Sequence, residues 1–368
     1  MTPEPGIDVL VIGLGPAGAS AARAAASAGL KVVALDRKKA PGFPVQCAEF
    51  VPALISAGDA TQVSRVQAIS EMHTFVEAGG AEVTPEFPGT MIDRCQFDAH
   101  LVEGARNAGA DIRMDCAVKA IHPDGRLELF SGETLTAKVL IGADGPHSLL
   151  GKATGHVNTD IIASRQVTVP LLQAHTATDI YLSERLPGGY GWLFPKGAVA
   201  NVGLGVSQEH KDCLKPELEA LLARLTAEGR IGEERLGHTG GAIPAGGMIN
   251  PVAFLGDTLV LLAGDAAGLT NPVTGAGISA AVASGRMAGG AAADWIGGDA
   301  SAADTYTEDL EDHFGASLQR AVKRRAAALA AHSAGAASPD SLRSGWIAYP
   351  QYWNTDDTRE ETHDLLEA

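Results

Sequence analysis

The strongest constraint on how this chain can fold lies between Ile7 and Asp36. Ile7 to Ile12 (IDVLVI) is a short apolar run of the kind a parallel strand covered on both faces requires. Pro16 to Ala28 has helical composition, with Gly29 placed as a C-terminal cap, and Lys31 to Leu35 (KVVAL) reads as a second strand. Between strand and helix stands Gly13-Leu14-Gly15-Pro16-Ala17-Gly18, a G-x-G-x-x-G turn. The first glycine makes the tight turn, the second lets a pyrophosphate approach the backbone, and the third lets the helix pack on the strand. Free N–H groups and the helix dipole attract the phosphates. Asp36 ends the second strand, where a carboxylate can accept from both ribose hydroxyls. The whole predicts a dinucleotide-binding βαβ unit.

Two later apolar runs extend the parallel pattern, Ala137 to Ala143 (AKVLIGA) and Thr258 to Leu262 (TLVLL), the latter followed by a long small-residue helix. Asp93, with Gln96 three residues on, predicts the start of another helix that Gly109 closes. Arg65 to Thr90 and Val157 to Gly247 instead read as strand and turn, broken by Gly and Pro. The fold class expected is therefore α/β: a discontinuous Rossmann-type domain with an inserted, mainly antiparallel β-sheet domain on the substrate side. The cofactor domain is expected at 1–64, 91–156 and 250–335, the inserted sheet at 65–90 and 157–249, and a C-terminal segment with a polar tail at 336–368.

A net charge of −16 gives no basic footprint for nucleic acid. Aromatic residues are only 5% while hydrophobic residues are 45%, so alanine and glycine do much of the packing. Cys47, Cys95, Cys116 and Cys213 form no C-x-x-C pair and read as reduced thiols of a cytoplasmic protein. Gly275 to Ile296 is apolar but carries Arg286 and Asp294, which points to a buried helix and not to a membrane span.

The nature of the nucleotide comes from two further segments. Ala143-Asp144-Gly145-Pro146-His147-Ser148 and Ala263-Gly264-Asp265-Ala266-Ala267 each follow a buried strand. Both resemble the second and third FAD signatures of the aromatic-hydroxylase-like flavoproteins, and the resemblance implies that Asp265 binds the ribityl chain of FAD. Asn271 to Ile278 would then open a helix toward the flavin pyrimidine, where a helix N-terminus stabilises the charge of reduced flavin.

Within that group the chain resembles the geranylgeranyl reductases. Pro44-Val45-Gln46-Cys47-Ala48-Glu49 is similar to the family's Pro-x-x-Cys-Gly-Glu element, which lies beside the isoalloxazine. Tyr190-Gly191-Trp192-Leu193-Phe194-Pro195, followed by Gly203-Leu204-Gly205, fits the family's substrate-side pattern, and Gly264 to Ile278 fits its third FAD element. Arg94-x-x-Phe97-Asp98 adds to a likeness spanning roughly 7–290. It implies that Ala17, Asp36, Cys47, Ala48, Arg94, Val118, Asp265, Gly277 and Ile278 contact FAD, together with Gly13, Gly15 and Gly18. It also implies reduction of carbon–carbon double bonds in an isoprenoid or similarly apolar small molecule. Ala48 stands where the family has glycine, Asp36 where Glu is more usual, and the region after the cofactor domain is short.

Saturating an unpolarised alkene with flavin needs a hydride on one carbon and a proton on the other. Cys47 is the candidate catalytic residue for holding or relaying that proton, or for tuning the flavin; a packing thiol is the bland alternative. Tyr190, Trp192 and Phe194 alternate as on one strand face and either wall a substrate cavity or fill the sheet's core. Glu49 is expected to shape its turn, and His147 to be a loop residue. Arg320, Lys323, Arg324 and Arg325 form the dense basic cluster of an acidic chain. A solvated helix face is the commoner reading for it, and peripheral membrane contact the sharper one. No second dinucleotide fold is visible, so an external electron donor, NAD(P)H or a reduced protein, must dock transiently. The same FAD signatures fit a monooxygenase, the rival reading, and more remotely a non-enzymatic flavin-binding protein.

Overall fold

In the computed structural model, residues 6–53 and 59–354 are described. Ile7–Ile12 and Val32–Leu35 pair in parallel with the helix Pro16–Ser27 between them. Ala137–Gly142 and Thr258–Leu262 add on one side and Asp111–Arg113 on the other, all parallel, while Val252–Leu255 closes one edge antiparallel. Val9, Leu10, Val139, Leu140, Val260 and Leu261 are fully buried, which is why these strands read as continuous apolar runs.

Two helices beside this sheet pack directly on one another at a contact that only small residues permit. Gly285 and Gly289 of the helix Ile278–Ile296 face Ala17 and Ala21 of the helix Pro16–Ser27. A Cβ on either glycine would land on the backbone oxygen opposite. The alanine- and glycine-rich, aromatic-poor composition is thus spent on bringing the helix that begins at Pro16 close to the helix that begins at Ile278.

A seven-stranded sheet stands apart from the first, in the order Gly237–Pro244, Ile161–Pro170, Val199–Ser207, Gly191–Lys196, Ala177–Leu182, Glu71–Val76, Ala81–Thr84. Its pairings are antiparallel except that of Ala177–Leu182 with Glu71–Val76. Arg65–Ile69 does not join it; that strand forms a small antiparallel sheet with Gly89–Ile92 and Phe50–Pro52.

The expectation of strand and turn throughout Val157 to Gly247 is wrong at one place, because Leu214–Ala227 is an α-helix. Leu218, Leu222 and Leu225 fall on one face and bury against Val167, Val202, Leu204 and Val206 of the seven-stranded sheet. Pro216 in the first turn, where a missing N–H costs nothing, opens this helix and does not break it. The other face of the sheet takes Trp192, Phe194 and Ile180, and over them lie Trp346 and Tyr352 from the C-terminal segment. That segment is therefore packed structure as far as Asn354, with short helices at Pro339–Ser344 and Pro350–Trp353; the expected polar tail beyond it lies outside the described residues. Among the described residues no helix is long and apolar enough to cross a membrane.

Candidate active site

The glycine turn has the shape that phosphate binding needs. A Cβ at Gly13, where φ is +93°, would strike the backbone of Ala143, and one at Gly18 would strike the Gly13 carbonyl. A Cβ at Gly15 would meet nothing within 4 Å, so the turn presents open space just where the helix Pro16–Ser27 begins. Asp36 closes this turn from the adjacent strand end. Its Oδ2 accepts the Leu14 N–H at 2.8 Å and its Oδ1 the Lys38 N–H at 2.8 Å, which fixes the carboxylate and leaves further lone pairs for hydroxyls.

Asp265 sits in the turn after Thr258–Leu262, and Thr270 donates to its Oδ1 at 2.6 Å. Burial pushes this carboxyl above its ordinary range, while the Thr270 hydroxyl and the Arg94 cation oppose the rise. Gly277, the N-cap of Ile278–Ile296, lies against Thr270 and Asp265, where a Cβ would collide with the Thr270 hydroxyl. Asn158 donates to the Asp265 carbonyl at 2.9 Å and to the Pro146 carbonyl at 3.2 Å, tying the second and third motifs together. Ala17 lies under this junction, since a Cβ on Gly264 would come within 3.0 Å of it. The cradle at Gly15, the fixed carboxylate at Asp36 and the buried carboxyl at Asp265 suit a dinucleotide carrying both a ribose and a ribityl chain. Val118 is buried at the start of Val118–Ile121, in a small meander that borders the parallel sheet.

The loop from Pro44 to Glu49 joins this cofactor side to the seven-stranded sheet, and polar side chains hold it. Thr239 donates to the Val45 carbonyl at 2.6 Å, Gln166 to the Cys47 carbonyl at 3.2 Å, and Asn201 to the Ala48 carbonyl at 3.2 Å. Glu49 has a positive φ of 67° and anchors the far end. It accepts the Arg94 N–H at 3.0 Å on Oε1, and Lys196 at 2.8 Å and Asn201 at 3.1 Å on Oε2. Its own N–H donates to Cys47 Sγ at 3.1 Å.

Arg94 lies beside Cys47, held flat by a two-pronged pair with the buried Asp98, each bond 3.0 Å. Burial works against its charge, but Asp98 and the Cys47 side chain outweigh burial and hold the guanidinium above the usual arginine range. Cys47, Ala48, Arg94 and Asp265 are thus brought into one neighbourhood. Asp98, part of the Arg94-x-x-Phe97-Asp98 motif, completes it with Gln166, Asn201, Lys196 and Thr270, which escaped the sequence reading. The pairing of Asp98 with Arg94 shows in the sequence as an i,i+4 spacing on one helix face.

Trp192 and Phe194 are buried side by side, with ring centroids 6.2 Å apart, and Phe194 faces Phe50 at 5.6 Å. Gly203 stands opposite Trp192 in the register, and a Cβ there would come within 2.5 Å of the indole, so the glycine lets the ring lie on the neighbouring strand. Trp192 Nε1–H donates to Gln166 at 2.9 Å, the residue that also holds the Cys47 carbonyl. Tyr190 packs against Trp346 at 4.8 Å and donates to the Thr274 carbonyl at 2.5 Å, and burial pushes its phenol well above the usual range. Ala48 and Phe50 pack against this aromatic cluster, so the Cys47 loop has the cofactor turns on one side and an apolar wall on the other.

The basic cluster does not form a free cationic face. Arg325 is buried, bonded to Asp160, to Ser207 and to the Gly188 carbonyl. Arg324 is spent on the Tyr352 and Asn354 carbonyls, and Arg320 lies over the Trp353 ring at 5.2 Å. The helix Ala316–Ser333 uses these arginines to seat the C-terminal segment. His147 is exposed, as the loop reading expected.

Residues 6–181 match the family model described as FAD binding domain, and residues 160–236 that of the geranylgeranyl reductase catalytic domain. A digeranylgeranylglycerophospholipid reductase of Methanocella arvoryzae is 34% identical over 348 residues, covering 86% of this chain and 86% of that protein. The chain belongs to the geranylgeranyl reductase family of FAD-dependent oxidoreductases. A second relative, digeranylgeranylglycerophospholipid reductase 2 of Methanopyrus kandleri, is also 34% identical and covers 86% of this chain and 85% of itself. Among solved structures, a geranylgeranyl bacteriochlorophyll reductase-like protein of Thermoplasma acidophilum superposes with a TM-score of 0.78 at 26% identity, covering 94% of this chain and 91% of that one. A probable FAD-dependent monooxygenase of Pseudomonas aeruginosa shares the fold alone, with a TM-score of 0.69 at 17% identity and coverage of 92% and 98%.

Proposed function

We propose that this flavoprotein reduces carbon–carbon double bonds of a prenyl lipid of the geranylgeranyl class. The observation that carries the reading is the position of the Cys47 loop, with Arg94 and Asp265 on one side and the Trp192–Phe194 wall on the other. When bound and reduced by the external donor, the flavin would supply the hydride. The chain's own residues would do the rest. Gly13, Gly15 and Gly18 hold the pyrophosphate, Asp36 the adenosine ribose and Asp265 the ribityl hydroxyls. Ala17, Val118, Ala48 and Ile278 line the cofactor, and Gly277 presents the helix N-terminus to the flavin pyrimidine.

Tyr190, Trp192 and Phe194 would lay an apolar chain against the Cys47 loop and keep water from it. Cys47 Sγ–H would then give its proton to the carbon opposite the one that takes the hydride. The Glu49 N–H at 3.1 Å and the Arg94 guanidinium interact favourably with the negative sulfur that remains. The electron donor, NAD(P)H or a reduced protein, would dock transiently.

Anaerobic turnover of the FAD-loaded protein with dithionite and geranylgeranyl compounds, followed by mass spectrometry, tests the reading. Products heavier by two hydrogens per reduced bond are expected. Normal flavin reduction with every prenyl compound returned unchanged would overturn the substrate class. Cys47→Ala should keep bound FAD and lose on the order of 10²-fold or more in alkene reduction, the usual weight of a positioned acid. Unchanged turnover removes the acid role.

A further inference from the structure

Among the described residues, His73, His175 and Asp179 place three ligand atoms within 4.8 Å of one another. They lie on the face of the seven-stranded sheet turned away from the flavin. Asp179 and Tyr181 share one side of their strand, and Tyr181 belongs to the core under the helix Leu214–Ala227, while Ile180 belongs to the aromatic wall. None of the three is used in the reaction above.

The hydrogen bonds around the group set which imidazole nitrogens face Asp179 Oδ1. His73 Nε2 lies 3.0 Å from Glu71 Oε1. An ionised carboxylate only accepts, so that nitrogen carries the hydrogen and a neutral His73 turns a bare Nδ1 toward Asp179 Oδ1, 3.6 Å away. By the same rule His175 Nε2–H donates to that oxygen at 2.8 Å, and a bound ion would take the place of this hydrogen. Asp179 Oδ2 is already taken by the Arg230 guanidinium and by the Tyr181 hydroxyl at 3.1 Å. One fully buried carboxylate oxygen is thus flanked by two imidazole nitrogens, and their separations bracket the ~3.3 Å expected between ligand atoms about a tetrahedral ion with bonds of about 2.0 Å. The outer partners are those metal sites use: a carboxylate fixing the tautomer of one histidine, and a cation and a hydroxyl orienting the ligand carboxylate.

We infer that His73 Nδ1, His175 Nε2 and Asp179 Oδ1 form a binding site for a divalent transition ion of the zinc class. Imidazole with a single carboxylate selects such ions over Mg2+ and Ca2+, which prefer sites built from oxygen. Both histidine side chains are about one-fifth exposed, 21% for His73 and 18% for His175, so water can reach a fourth position. The ion would join the strand Glu71–Val76 to the turn that carries His175. Arg230, just past the helix Leu214–Ala227, sets the orientation of Asp179, so the site would be structural and remote from the flavin.

The test uses the FAD-loaded protein after chelator treatment, titrated with Zn2+ by calorimetry, with Co2+ as a coloured probe. The expected result is one saturable equivalent, Co2+ absorption bands of tetrahedral coordination, and a higher Tm with Zn2+. His73→Ala and His175→Ala should each abolish all three while the flavin spectrum stays unchanged. Absence of saturable Zn2+ binding overturns the site, and so does an equivalent that survives both substitutions. Asp179→Asn is unsuited to the test, because it would strip Arg230 of its buried partner.

Discussion

Glu49 shows how much of the site hangs on single side chains. Its positive φ costs a non-glycine residue about 1–3 kcal/mol, and the bonds to the Arg94 N–H, Lys196 and Asn201 compensate for it. Glu49→Gln removes the charge opposite the half-buried Lys196 and should lower stability by roughly 1–3 kcal/mol. The same change should raise the dissociation constant for FAD, because the Cys47 loop loses its anchor; calorimetry and flavin fluorescence read the two effects. An unaltered Tm would show that the strain is borne elsewhere. Asp36 was legible from its place at the end of a strand, since the Leu14 and Lys38 N–H groups it accepts are set by local chain geometry. The partners of Glu49 were not, because Lys196 and Asn201 arrive from positions 147 and 152 residues away.

At the scale of elements, the two helices flanking the glycine turn stand or fall together. Gly285→Ala places a methyl group on the Ala17 carbonyl, and the helices must separate to admit it. Such overpacking costs typically ~1–3 kcal/mol, and the shifted turn at Gly13 to Gly18 should bind FAD less tightly. If the variant melts at the parent temperature and retains full flavin, the close approach is not what positions the turn. The parallel strands were legible because burial on both faces removes alternation from their sequences. The helix Leu214–Ala227 was masked by its setting among strands, although Leu214, Leu218, Leu222 and Leu225 carry its period and bury it. Local period outweighed neighbourhood here, as it does when an apolar face finds a sheet to cover.

Across the whole molecule, the C-terminal segment acts as a cover over the aromatic wall. Glu82, on an edge strand of the seven-stranded sheet, bonds Arg343 at 2.6 Å and accepts from Tyr349 at 2.8 Å. Arg343, and secondarily Tyr349, hold the Glu82 carboxyl below its usual range. A lowered folded-state value means that this clasp is fully present above the ordinary glutamate range and is lost as pH falls through the lowered one. Protease cleavage near 336–354 should therefore be flat between about pH 5 and 8 and rise only in stronger acid. A rise already at pH 6 would contradict it. Ending the chain at Gly335 removes Trp346 and Tyr352 from the wall. That truncation should spare flavin binding and abolish turnover of long prenyl chains, as read by the anaerobic assay.

The sequence by itself determined the cofactor half of this protein. A strand, a glycine turn, a helix and an acidic strand end interact over short chain distances, and Gly13 and Gly18 answer steric demands of the turn while Gly15 leaves it open. Only the tertiary structure decided what surrounds the Cys47 loop. Cys47 meets Gln166 from 119 residues away, Trp192 joins that bond from the next strand but one, and Trp346 closes the wall from the C-terminal segment. It also turned Arg325 inward, from a surface cation to a buried clamp on Asp160. Contacts of that span depend on how two sheets and a terminal segment pack together, and no local pattern of residues along the chain reports that packing.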